Sequence, residues 1–429
     1  MTRERAIAPP QQRYDFVVAG GGIGGLASAL ALARKDFRVA VLERAKAFTE
    51  FGAGIQMGPN AFTALDYLGV GASARKGAVF IDRLILMDSL DGEQICSIDV
   101  GADFRARFGN PYAVIHRADL HRSLLDGCRE AANVDLFTQA CVTGFTQHRQ
   151  SVDIRIERAA TYFARALIGA DGLRSVVRGA LLGDGEPRVS GDVTYRAVLP
   201  LDEMPEELRW NDMTIWCGPG THVVHYPLRD WKLFNLVVTC HAKSTVEAHN
   251  EPADPSEVLP WFSALCEKPM SLVRTPKEYR RWVLCDRAPA ERWAQERVAL
   301  LGDAAHPMLQ YFAQGACMAL EDAVALAEAA AREPDDIPRA LVLYELERIQ
   351  RAADLQLGSR LMGRLYHATD AERSVRKRLL GSWSQAEFRE RLAWLYGYDV
   401  RRGSATAVAA ATVTQCPQPR RVDKASPVD

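Results

Sequence analysis

The stretch Asp15-Phe16-Val17-Val18-Ala19-Gly20-Gly21-Gly22-Ile23-Gly24-Gly25-Leu26 decides the fold. A short apolar run stops at glycine, and an Ala/Leu-rich stripe then continues from Ile23 to Ala33. The first reads as a buried strand and the second as a helix. Gly20, Gly22 and Gly25 fit G-x-G-x-x-G. They serve in turn for a tight turn, close approach of backbone to a pyrophosphate, and close helix–sheet packing. The helix start adds unpaired N–H groups and the positive end of its dipole. A second strand, Arg38 to Leu42, ends in Glu43, which lies 18 residues after Gly25. That is where a carboxylate accepts ribose hydroxyls. Strand, helix and strand in about 30 residues make a βαβ unit, and with the acid they point to dinucleotide binding.

Composition narrows the reading. Of 429 residues, 48% are hydrophobic and 25% charged, as in ordinary globular chains. That much apolar surface offsets the ordering entropy, which excludes disorder for most of the length. Lys and Arg number 53 against 54 Asp and Glu, so there is no basic excess for a nucleic acid. No run of about 18 apolar residues offers a membrane span. Met1 to Arg13 lacks the apolar segment of a secretory signal and reads as a frayed lead-in. The nine cysteines show no C-x-x-C, so reduced thiols in a cytoplasmic protein are expected, with no zinc site or redox dithiol. His116 and His121 flank Arg117 with no third ligand nearby, and no metal is assigned.

Two more glycine blocks close apolar runs. Gly169-Ala170-Asp171-Gly172 follows Ala164 to Ile168, and Gly302-Asp303 follows Arg297 to Leu301. Between them, Thr194 to Val198, Thr221 to Tyr226 and Leu233 to Thr239 read as strands of an antiparallel sheet. Helices are expected over about Cys317 to Ala331 and Pro338 to Gly358. A mobile tail is expected after Arg402.

The blocks VVAGGGIGGL, IGADGLRS and LLGDAAHP, in this order, resemble the single-component flavoprotein aromatic hydroxylases of the p-hydroxybenzoate hydroxylase type, over roughly Tyr14 to Tyr398. The resemblance implies an α/β fold of mixed α+β character. A Rossmann-like FAD-binding domain (14–75, 106–180, 287–331) would be interleaved with an antiparallel-sheet substrate domain (76–105, 181–286). A helical C-terminal part (332–400) and a tail (401–429) would follow. It also implies FAD as cofactor, NADH or NADPH as transient cosubstrate, O2 and an aromatic acid as reactants, and a homodimer. Gly20, Gly22, Gly25, Glu43 and Arg44 would hold the ADP part of FAD. Asp171 and Gly172 would serve FAD and the nicotinamide. Gly302, Asp303 and Pro307 would lie on the flavin side, with Asp303 near the ribityl chain. Arg117, and Gly54 in the loop Gly52-Ala53-Gly54-Ile55-Gln56, would flank the isoalloxazine. A single G-x-G-x-x-G leaves the nicotinamide without its own Rossmann unit, and Glu43 does not separate NADH from NADPH.

The sheet-rich middle offers the chemistry. A phenol titrates near ~10, so making its ring electron-rich at neutral pH needs a base. From Thr221 to Arg229 the strand period places His222, Val224 and Tyr226 on one face, and Val223 and His225 on the other. Taken alone, a core histidine and a packing tyrosine account for the pair. The Gln310-Tyr311 loop departs from the commoner Pro/Gly-rich family form. With His-x-x-x-Tyr it resembles the 3-hydroxybenzoate 6-hydroxylases. This implies that His222 takes the phenolic proton with Gln310 as relay, and that Tyr226 orients the ring. Oxygen from a C4a-hydroperoxyflavin would then enter at C6, para to the hydroxyl, giving 2,5-dihydroxybenzoate (gentisate). His306 reads as packing, and Trp231, Trp282 and Trp293 as core or interface residues. Tyr112 reads as a pocket wall. The group meeting the substrate carboxylate stays open, with Arg105, Arg107 and Arg229 as surface-type candidates. Salicylate 1-hydroxylation, a flavin oxidase or dehydrogenase, and FAD binding without turnover remain as alternatives.

Overall fold

A computed structural model of the protein describes residues 4–6, 13–49, 52–157, 161–244 and 247–401. In chain order the strands are β1 (Glu4–Ala6), β2 (Arg13–Ala19), β3 (Val39–Leu42), β4 (Gly54–Met57), β5 (Ala78–Phe80), β6 (Arg83–Asp88), β7 (Gln94–Asp99), β8 (Ala113–His116), β9 (Val134–Thr138), β10 (Val142–Gln147), β11 (Val152–Ile156), β12 (Tyr162–Gly169), β13 (Arg188–Pro200), β14 (Asp212–Gly218), β15 (Thr221–Leu228), β16 (Leu233–His241), β17 (His249–Ala253), β18 (Tyr279–Asp286), β19 (Ala294–Gln295) and β20 (Val298–Leu300). The helices are α1 (Ile23–Ala33), α2 (Pro59–Tyr67), α3 (Gly71–Gly77), α4 (Ala102–Phe108), α5 (Arg117–Glu130), α6 (Val176–Leu182), α7 (Pro255–Val258), α8 (Glu267–Arg274), α9 (Gly315–Arg332), α10 (Ile337–Tyr366), α11 (Asp370–Gly381), α12 (Gln385–Arg391) and α13 (Ala393–Tyr396).

One sheet runs β1-β9-β3-β2-β12-β11-β10, with β20 also beside β12 and β19 beside β20. Its centre, β9-β3-β2-β12-β20, is parallel. Every residue of β3 and β20 is buried, as expected of parallel strands covered on both faces. The register sets Ala19 opposite Leu42 and Gly169, and Gly169 opposite Leu300. The three glycine blocks and Glu43 therefore emerge level with one another at the carboxyl edge, where open α/β sheets bind ligands. Helices α1 and α9 pack closely because Gly24 has no Cβ; one there would sit 2.9 Å from Leu301 and 3.3 Å from Ala319.

A second sheet runs β17-β18-β13-β16-β15-β14-β6-β7 and is mostly antiparallel. Its β6 and β7 come from residues 83–99 and the rest from 188–286, joined by the parallel pair β14 and β6. A small sheet, β4-β8-β5, makes a third layer. Val224 and Tyr226 belong to the core shared with the parallel sheet, whereas Val223, Val238 and Trp216 belong to a separate core behind the second sheet. The alternation expected along β15 is present.

Two expectations need correction. Glu4–Ala6, read as part of a frayed lead-in, pairs in parallel with β9 and extends the sheet. Helix α10 does not stop at Gly358 but continues to Tyr366. That glycine marks close packing instead: a Cβ there would sit 2.8 Å from Phe312, and one at Gly363 would sit 2.7 Å from Tyr311. The tail expected from 401 lies outside the described residues after Arg401.

Candidate active site

Gly20 leaves β2 with φ +104°, and a Cβ there would sit 2.4 Å from the Ala170 carbonyl oxygen. At Gly25 it would sit 1.9 Å from the Gly20 carbonyl oxygen. Gly22 caps α1 without a side-chain hydrogen bond, and the first turn of α1 holds no acid. The result is a backbone cradle at a helix N-terminus, which fits a pyrophosphate. Glu43 Oε2 accepts from Gly21 N–H at 2.8 Å and Oε1 from Ala45 N–H at 2.7 Å. The carboxylate is thus fixed beside the cradle, and each oxygen keeps a further lone pair for a hydroxyl. Arg44 is exposed next to it. His121 Nε2 lies 2.8 Å from the Gly21 carbonyl oxygen and braces the same turn, a role the sequence did not signal.

Asp171 has its carboxylate bonded within the chain. Its Oδ1 accepts from Ser175 Oγ at 2.5 Å, and its Oδ2 accepts from the N–H groups of Val176 and Val177. The carboxylate closes the start of α6; burial raises its pKa above the ordinary value despite these bonds. Gly172, at φ +81°, makes the turn. Gly302 is buried at φ +61°, and Asp303 beside it is exposed, its Oδ1 3.8 Å from where a Gly315 Cβ would stand at the start of α9. Pro307 is buried, its carbonyl accepting from Gln356 and from Arg287 N–H. His306 is more than packing. Its Nε2 lies 2.5 Å from Asp322 Oδ2, and Asp322 also receives Arg348 Nε and Gly302 N–H.

The second sheet brings His222 and Tyr226 to the face that meets the parallel-sheet core, and Gln310, from the turn between β20 and α9, reaches that face through Thr194, Thr239 and Arg196. Gly54 N–H donates to Asn235 Oδ1 at 2.8 Å, and a Gly54 Cβ would lie 2.5 Å from the Tyr226 ring, so β4 rides directly over β15. Arg117 starts α5, with its N–H on the Ala53 carbonyl and its side chain next to Gly52. Tyr112 is buried and donates to Gln56 Oε1. His222 is 2% exposed, and its Nδ1 lies 2.8 Å from His367 Nε2. Burial, reinforced by His367, holds its pKa well below the usual histidine value. Sequence reasoning missed His367, and no motif marks it. Gln310 does not bond to His222. Its Nε2 donates to Thr239 Oγ1 at 3.1 Å and to Thr194 Oγ1 at 3.4 Å, and its Oε1 accepts from Arg196 at 3.0 Å. Gln310 is nevertheless close to His222, since Thr239 is the register partner of His222. Among the candidate surface arginines, Arg229 is bound to Asp119. A surface hollow of about 420 Å³ beside β7 and α11 carries none of these groups.

Among the described residues no cluster suits a metal ion, and no helix is long and apolar enough to cross a membrane. The family model described as FAD binding domain matches residues 13–356. The 3-hydroxybenzoate 6-hydroxylase of Polaromonas naphthalenivorans (strain CJ2) is 47% identical over 384 residues, covering 90% of this chain and 96% of that protein. That of Klebsiella oxytoca is 47% identical over 382 residues, covering 89% and 96%. A salicylate hydroxylase substrate complex superposes with a TM-score of 0.77 at 28% identity, covering 91% of this chain and 96% of that one. Klebsiella pneumoniae HpxO, complexed with FAD and uric acid, shares the fold with a TM-score of 0.78 at 24% identity, covering 91% and 97%. The chain belongs to the FAD-binding family of flavoprotein aromatic hydroxylases.

Proposed function

We propose that the protein hydroxylates 3-hydroxybenzoate at C6 to give 2,5-dihydroxybenzoate, consuming NADH or NADPH and O2 and releasing water. The observation that carries the reading is one sheet face holding His222 and Tyr226, met by Gln310, against the layer that continues into the glycine cradle. Relatives of that name at 47% identity support the same substrate. The cradle of Gly20, Gly22 and Gly25, with Glu43 and Arg44, would hold the ADP part of FAD. Gly54, Arg117, Gly302, Asp303 and Pro307 would border the rest, and Gly172 would shape the adjoining turn. FAD, when bound, supplies electron transfer from the nicotinamide to O2.

The protein's own groups do the remainder. His222 is neutral in its buried site and leaves Nε2 for the phenolic proton because Nδ1 faces His367; burial disfavours the imidazolium, so the proton is shared in a hydrogen bond or passed on rather than held. Tyr226 stays a protonated donor, since burial raises its pKa, and orients the ring by hydrogen bonding. Gln310 fixes Thr194, Thr239 and Arg196 around the pocket. A phenolate oxygen pushes electron density to both ortho and para positions, so orientation selects C6. The division into cofactor and substrate parts, a homodimer and a cytoplasmic location belong to the same proposal. The test is substrate-dependent NAD(P)H oxidation by the yellow protein: a sharp rise with 3-hydroxybenzoate is expected. Flavin reduction by the acid alone, without nicotinamide, would instead mark an oxidase.

A further inference from the structure

Buried or nearly buried arginines elsewhere in this molecule meet acids. Arg178 meets Asp184 at 2.6 Å, Arg348 meets Glu321 and Asp322, and Arg376 meets Asp88. Arg196 is the contrast. It is half-buried on β13, and among the described residues no carboxylate lies within ion-pair distance of it. Its Nη2 donates to the neutral Gln310 amide, its guanidinium lies 4.9 Å from the Trp282 ring centre, and its Nε–H is buried with no partner. A fork of donors set over an aromatic face, with one N–H left over, is suited to receive a carboxylate. Desolvation pushes its pKa down to about 10, the electrostatic cost of a cation whose anion is not supplied by the fold.

The register places it. Arg196 pairs with Val237, which pairs with Val224, between the rung of His222, Thr239 and Thr194 and the rung of Tyr226, Asn235 and Val198. It therefore shares the face of the proposed catalytic pair, two strands from β15, or about 10 Å at the backbone. Building on the proposed function, we infer that Arg196 anchors the carboxylate of the aromatic acid, and that Gln310 and Trp282 hold its guanidinium for this task. The arrangement also separates isomers. A hydroxyl ortho to the carboxylate stays beside the guanidinium, whereas a meta hydroxyl projects towards His222. Arg105, Arg107 and Arg229 are not needed for this role.

The test reads binding, by perturbation of the flavin spectrum in FAD-loaded protein, for wild type, Arg196→Gln and Arg196→Lys. Ligands are 3-hydroxybenzoate and its neutral counterpart 3-hydroxybenzamide. Arg196→Gln should raise the Kd of the acid about a hundredfold, as loss of one partner of a desolvated charge pair does, while changing that of the amide less than threefold. Arg196→Lys should fall between. Equal loss of both ligands, or no change for the acid, overturns the assignment, as does loss of FAD from both variants. Failure of the unmodified protein to make 2,5-dihydroxybenzoate would overturn the function but not the anchor, which is read from binding alone.

Discussion

At the residue scale, the proposed base His222 is neutral at rest because burial and His367 disfavour its charged form. His222→Ala should keep its FAD and still oxidise NAD(P)H. Hydroxylation should fall 10²–10⁴-fold, the usual worth of a positioned base, with hydrogen peroxide appearing in place of product. Product and NAD(P)H measured in the same samples check this, and an unchanged ratio contradicts it. Glu43→Ala should lower retained flavin after dialysis, because the side chain fixes Gly21 and is the proposed acceptor of the ribose hydroxyls. Full flavin occupancy would count against that role. His222 and Tyr226 were legible from the two-residue period of one strand. Their partners were not: His367 lies 145 residues from His222, and Arg196 is an arginine among many until its missing acid is visible. Asp171 shows the opposite limit, since an Asp-Gly motif does not reveal that its carboxylate closes a helix.

At the element scale, the turn from β2 to α1 tolerates no side chain. Gly25→Ala would drive a methyl group against the Gly20 carbonyl, so loss of flavin absorbance per protein is expected. Normal flavin content in that variant would contradict the cradle. Helices α9 and α10 are joined by fully buried charges: Asp322 holds His306, Arg348 and the Gly302 amide together. Asp322→Asn should cost about 3–5 kcal/mol in urea unfolding, because it removes one of the two carboxylates that face buried Arg348 and takes the charged partner from His306; a change under about 1 kcal/mol would show that the network is not structural. The strands and helices bordering the glycine blocks were readable because local backbone geometry dictates those residues. The end of α10 was not, because Gly358 and Gly363 serve contacts with Phe312 and Tyr311 rather than a helix stop.

At the scale of the whole molecule, the chain returns three times to one carboxyl edge, which composition and length could not show. The glycine blocks gave that convergence, but the parallel pairing of β6 with β14 joins residues 129 apart by a register no local pattern encodes. The near-zero net charge also acquires a meaning: the positive groups are local, at a cradle and at Arg196. Acid stability follows from the buried histidines. His225 and His367 titrate at about 3 and about 4 in the fold, chiefly through burial, against about 6.5 unfolded. The unfolded state binds the extra protons, so their contribution is complete above pH 6.5 and is lost as pH falls from there, towards 4 for His367 and towards 3 for His225. For fully buried His225 the slope is about 1.4 kcal/mol per pH unit. Both its ring nitrogens lack partners, so His225→Leu should be stabilised relative to wild type, increasingly so between pH 7 and pH 5. Parallel stability curves would contradict this. The central claim is tested most directly by identifying the product when FAD-loaded enzyme, NAD(P)H and O2 meet 3-hydroxybenzoate and, separately, salicylate. Stoichiometric 2,5-dihydroxybenzoate from the first, with no coupled product from the second, is the expected result; coupled conversion of salicylate to catechol, with 3-hydroxybenzoate unreacted, would contradict it.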